Sequence, residues 1–182
     1  MISTTLTEIR NHSPCRSGWE KLLNYLGKTQ ADDDPLPLLV ILNNNGIDDA
    51  LWCLRALPEY DREWRLFGVW CARRVQHLMT DKRSIAAVDV AERFAWGEAS
   101  REELDSAWDD AWDAVRPGAR DDARDDDASW ISAQTTTRPS TTGSVAWGIA
   151  WTAARTVGAR DSTEWVVARA EQESELRRIL GG

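Results

Sequence analysis

Apolar residues recur at three- and four-residue intervals over most of the chain, and strict alternation is sustained nowhere. That is the signature of amphipathic helices rather than strands. The first dozen residues have no sustained period and read as a flexible lead-in or a short packed arm. Ser17, with Glu20 in capping-box spacing, opens a helix whose apolar face is Trp19, Leu22, Leu23 and Leu26, and Gly27 ends it. Asp34 followed by Pro35 predicts the start of a second helix through the apolar run at 36–42, with a buried strand as the alternative. Asp48 or Asp49 starts a short helix that Pro58 stops. From Asp61 to about Leu78 the spacing predicts the longest central helix, with Trp64, Phe67, Val75 and Leu78 inward and Arg62, Arg65, Arg73 and Arg74 outward. Asp81 caps the next helix, Gly97 terminates it, and Ser100 with Glu103 repeats the capping box. A last helix runs from about Ser162 to Leu180 with an end free to fray. The class these patterns predict is all-α, a helical bundle grading into stacked helical hairpins, with about eight or nine helices.

The most regular feature lies in the second half. AWDDAWDAV at 107–115 returns as AWGIAWTAA at 146–154, and GARD at 118–121 returns at 158–161. A period near forty residues suggests a two-helix unit whose apolar face is covered only by its neighbours. Leu104, Ala107, Trp108, Ala111, Trp112 and Val115 form one stripe, which is expected to face inward, with Trp147, Ala150, Trp151, Ala154 and Val157 repeating it. A tryptophan cage around a ligand is the alternative. Residues 116–128 lack large apolar side chains, and TTTRPSTTGS at 135–144 reads as a linker. The organisation predicted is an N-terminal arm at 1–16 and one all-α domain at 17–182, divided into a bundle (17–97) and two tryptophan/alanine hairpins (98–182).

Charge adds a direction to this picture. The net charge is -8, and residues 98–128 account for all of it, with twelve acids against four bases. Phosphate recognition rests on cationic surface, so direct nucleic-acid binding is disfavoured, and an acidic band instead attracts basic partners. The band supplies the candidate contacts Asp109, Asp110, Asp113, Asp121, Asp122, Asp125, Asp126 and Asp127. Glu102, Asp105, Asp109 and Asp113 supply paired carboxylates, but acid–base work requires one of them buried, and this row is expected opposite the tryptophans, in solvent. Arg73, Arg74, His77, Lys82 and Arg83 form a basic counter-cluster, expected to pair with the protein's own acids.

Other chemistries find little support. Cys15, Cys53 and Cys71 are odd in number and lack paired spacing, which argues against a disulfide framework. With only His12 and His77 to add, no metal site or cofactor is expected. Cys71 and His77 would lie about 240° apart on one helix, so an enzyme using them as nucleophile and base would need a tertiary partner. No apolar run approaches a membrane span and the start lacks a signal-peptide pattern, so a cytoplasmic protein is expected.

GWEKLLNYLGK, PLPLLVIL, GIDDALWCLRA and DREWRLFGVWCARRVQHLMTDKRS together resemble a family of all-helical phage and prophage proteins, a likeness covering about residues 15–115. DVAERFAWGEASREEL and the AW repeats are similar to all-helical immunity proteins of bacterial polymorphic toxin systems. Neither family carries catalytic residues to transfer. The resemblance implies mobile-element biology and a non-enzymatic protein that blocks a basic partner, a toxin or a nucleic-acid-binding defence protein, through its acidic helical surface. The alternative is a structural protein whose repeats stack between chains.

Overall fold

The computed structural model describes residues 1–115, 123–137 and 142–181. Ten α-helices occur among them, α1 (Leu6–Asn11), α2 (Arg16–Leu26), α3 (Leu38–Asn45), α4 (Ile47–Cys53), α5 (Asp61–Val75), α6 (Lys82–Ala95), α7 (Arg101–Val115), α8 (Ala123–Thr135), α9 (Thr142–Val157) and α10 (Thr163–Gly181). The all-α class is as the periodicity requires. One short antiparallel pair joins β1 (Ser3–Thr4) to β2 (Leu36–Pro37).

That pair decides between the two readings of the first residues and corrects the start of the helix expected after Asp34. The first residues are a packed arm, with Ile2, Leu6 and Ile9 buried and Thr5 capping α1 by accepting from the Glu8 amide at 3.1 Å. Leu36 and Pro37 are consumed by the ladder, so α3 begins at Leu38 rather than after Asp34. Ser17 also loses its role: the N-cap lies two residues earlier, at Cys15, and makes no side-chain cap bond. Gly27 ends α2 as expected, in the left-handed region at φ 65° where a side chain would be strained.

Helices α5 and α9 are the centre, packing on each other and both on α8, while α9 also meets α4 and α10. Helix α7 lies at one side, with α6 and α8 as its principal neighbours. A continuous apolar core runs from Ile2 through Trp64, Phe67 and Ile149 to Leu180, so it is shared by the arm and by both halves of the chain.

Arg65 is the largest departure from the pattern on α5. Expected outward, it is fully buried. The reason is a helix end: the last carbonyls of a helix lack intrahelical donors. The Arg65 guanidinium supplies donors at the end of α8, to Thr135 O at 2.6 Å and Thr137 O at 2.8 Å. It also donates to Thr142 Oγ1 at 3.0 Å, at the start of α9, and pairs with Asp61 at 3.4 Å over the Phe94 ring. Burial lowers its pKa, partly offset by Asp61. The threonines read as linker are therefore partly core, Thr135, Thr136 and Thr142 being buried.

Candidate partner-binding face

Helix α7 is set by its capping box: the Glu103 amide donates to Ser100 Oγ at 3.2 Å, and the Ser100 amide to Glu103 Oε2 at 2.8 Å. The Ser100 amide, and after it Arg93 at 3.1 Å, hold the Glu103 carboxyl below its usual range. The helix then buries Leu104, Ala107 and Ala111. Ala107 and Ala111 meet Ala87 of α6 and Ala133 of α8, with Val90 beside them, in a seam made almost wholly of methyl groups.

That seam overturns the expected inward tryptophan stripe. Alanines at this line let three helix backbones approach closely, leaving no depth for an indole. Trp108 and Trp112 follow Ala107 and Ala111 by one residue, about 100° around the helix. They stack on each other, centroids 5.7 Å apart and rings inclined by 6°, and each keeps 38 % of its surface in solvent. The second copy repeats the arrangement. Ala146 and Ala150 are fully buried, while Trp147 and Trp151 stack at 6.1 Å and 22°. Of the eleven tryptophans only Trp64 is fully buried.

Asp109, Asp110 and Asp113 are all exposed on α7. Because the buried line is Leu104–Ala107–Ala111, Asp105, Asp109 and Asp113 adjoin the tryptophan pair rather than lying opposite it. Trp108, Trp112 and the carboxylates make one surface, apolar along one edge and anionic along the next. Asp110 turns to the other flank, where it lines a groove with Lys82 and Arg83. Asp121 and Asp122 lie outside the described residues, as do the side chains of Asp125, Asp126 and Asp127 on α8.

The three arginines of the basic cluster are engaged by the protein's own acids. Arg73 meets Asp89 at 2.7 Å and also Glu92, Arg74 pairs with Glu171, and Arg83 pairs with Asp81 at 2.6 Å. Arg83 also feels Asp113 and Asp110, which add to the pull of Asp81 in raising its pKa. The alternative of Cys71 as nucleophile meets the opposite of activation: Cys71 is fully buried and its thiol pKa is pushed up by desolvation, whereas His77 is exposed.

What the periodicity missed was the exposure of the indoles. The signal was present as a second line on the same helix, Leu104–Ala107–Ala111, one residue out of phase with the tryptophans. Comparison with family models, with curated proteins and with solved structures finds no match.

Proposed function

We propose that this chain is a non-enzymatic binding protein, an inhibitor or immunity-type protein of a mobile element, that blocks a basic partner protein through α7. The observation that carries the reading is the stacked, solvent-facing Trp108–Trp112 pair beside Asp105, Asp109 and Asp113. Tryptophan is the residue type that most often anchors interfaces, because it offers large rigid area at small entropic cost. An indole face also attracts an arginine or lysine head, and an adjacent carboxylate pairs with the same charge. The acidic field of the segment would speed encounter with a basic toxin or nucleic-acid-binding defence protein and make the complex salt-sensitive.

The test is affinity capture from host lysate on immobilised wild type, Trp108→Ala/Trp112→Ala and Asp109→Asn/Asp110→Asn/Asp113→Asn, each at low and high salt. A basic protein retained by wild type at low salt, released at high salt and lost from both variants supports the reading. Retention that is indifferent to all five substitutions would sink it.

A further inference from the structure

Between α1, α2, α3, α4 and α9, with no residue of α6, α7 or α8 in its lining, is a cavity of about 120 Å³. Three indoles line it, Trp19, Trp52 and Trp147, together with two carboxylates, Asp48 and Asp49. Leu22, Ile41 and Cys53 add apolar lining, and Cys15 contributes an exposed thiol.

The indoles and acids are held in place. Trp147 Nε1 donates to Asp48 Oδ1 at 3.0 Å, and Arg169 of α10 pairs with the same carboxylate. Asn45 Nδ2 bridges Asp49 Oδ2 at 2.8 Å and Gly18 O at 2.9 Å. A Cβ on Gly18 would stand 2.7 Å from Asp49 Oδ2, so the bare backbone there makes room for the carboxylate. Arg10 stands 5.5 Å from the Trp19 ring and Arg55 4.2 Å from the Trp52 ring, but neither lines the cavity. Each sits over its indole without entering the lining, as Trp151 does where it stacks on Trp147.

We infer that this cavity is a binding site for a small alkylammonium cation, with Trp19, Trp52 and Trp147 as its cage and Asp49 as its counter-charge. Aromatic faces attract a cation through the ring quadrupole, and alkylated ammonium heads suit such cages because their methyl groups also pack as apolar surface. Asp48 is shared with Arg169, whereas Asp49 accepts from the neutral amide of Asn45. An anion would face both carboxylates, and a neutral apolar ligand would leave Asp49 without a charge to pair. The volume is somewhat below the roughly 150 Å³ that admits benzene, which limits the buried part to a compact head. None of the residues involved is on α7, so this site stands or falls independently of the partner-binding face.

The experiment titrates the full chain with choline and with its neutral isostere, 3,3-dimethylbutanol, at constant ionic strength, reading tryptophan fluorescence and heat. A third arm uses a trimethyllysine peptide, and its rank against choline tells whether the head belongs to a free metabolite or to a protein. Saturable binding of the cations, about tenfold tighter than the isostere and weakened about tenfold by Asp49→Asn, is expected. Choline should also slow alkylation of Cys15 in wild type, a readout that does not depend on any variant folding. Equal binding of cation and isostere, or no saturable response with no protection of Cys15, overturns the assignment.

Discussion

At the scale of single residues, Arg65 shows how a charge comes to lie in an apolar core. Its fork faces the end of α8 and reaches the Thr135 and Thr137 carbonyls and Thr142 at once. Arg65→Met keeps most of the volume but takes the guanidinium donors from the Thr135 and Thr137 carbonyls and leaves Asp61 with the Thr142 hydroxyl but without its cation, and is expected to cost about 3 kcal/mol in urea unfolding. Arg65→Lys should recover only part, because one ammonium cannot reproduce a planar fork. The thiols give a second prediction. Cys15 is exposed, while Cys53 and Cys71 are buried, so a thiol reagent should find one reactive group in native protein and three in denaturant. Burial, with Asp49 adding to it, pushes the Cys53 thiol up to about 12, and burial raises Cys71 as well. A thiol raised in the folded state keeps its proton after the unfolded chain has lost it. Its contribution is unchanged below the unfolded value near 8.5 and falls above it, by about 1.4 kcal/mol per pH unit per thiol. The stability deficit of Cys53→Ala/Cys71→Ala relative to wild type should therefore be largest at neutral pH and shrink as pH rises above that value, as urea unfolding at a series of pH values would show.

At the scale of elements, α7 and α9 are one motif in two settings. Both bury alanines and stack tryptophans on the flank, but α9 is surrounded by α4, α5, α8 and α10, whereas α7 rests mainly on α6 and α8. The positions that are Asp109, Asp110 and Asp113 on α7 are accordingly Gly148, Ile149 and Thr152 on α9, where Ile149 and Thr152 are buried. Helices with unmistakable phase, such as α5 and α6, and the Ser100–Glu103 cap were legible in the chain. The direction of the tryptophans was not, since indole size suggests burial while the alanine line beside them decides the contact. The Asp34–Pro35 cap was outcompeted by a strand pairing with Ser3 and Thr4, a non-local partner invisible to local spacing. Two substitutions test the close approaches. Ala111→Leu should destabilise by about 1–3 kcal/mol through overpacking of the methyl seam, while Asp109→Leu on the exposed side stays within about 0.5 kcal/mol. Gly143→Ala places a Cβ 2.5 Å from the Leu54 carbonyl oxygen, which is backbone and cannot swing away, so it should lower the thermal midpoint although alanine favours helix.

At the scale of the whole molecule, the chain's two ends are part of one structure. The Ile2 amide donates to Leu180 O at 3.4 Å, the Leu38 amide donates to Ile2 O at 3.1 Å, and both Ile9 and Leu180 belong to the same core as Phe67 and Ile149. An arm without period and a last helix expected to fray are thus fixed by each other's neighbourhood, and the sequence division at 97/98 does not divide the core. Small domains with a shared core unfold cooperatively, so damage at either end should be felt everywhere. Ile9→Ala and Leu180→Ala each leave a cavity at a buried site and are expected to cost about 2–4 kcal/mol. The decisive measurement is their coincidence: helicity by circular dichroism and the fluorescence of the tryptophans should fall together in each variant, at a common lower urea midpoint. If Ile9→Ala shifted only a minor early phase and left the main transition in place, the arm would be an appendage, and the cavity of Trp19 and Trp52 would open before the α7 face was lost.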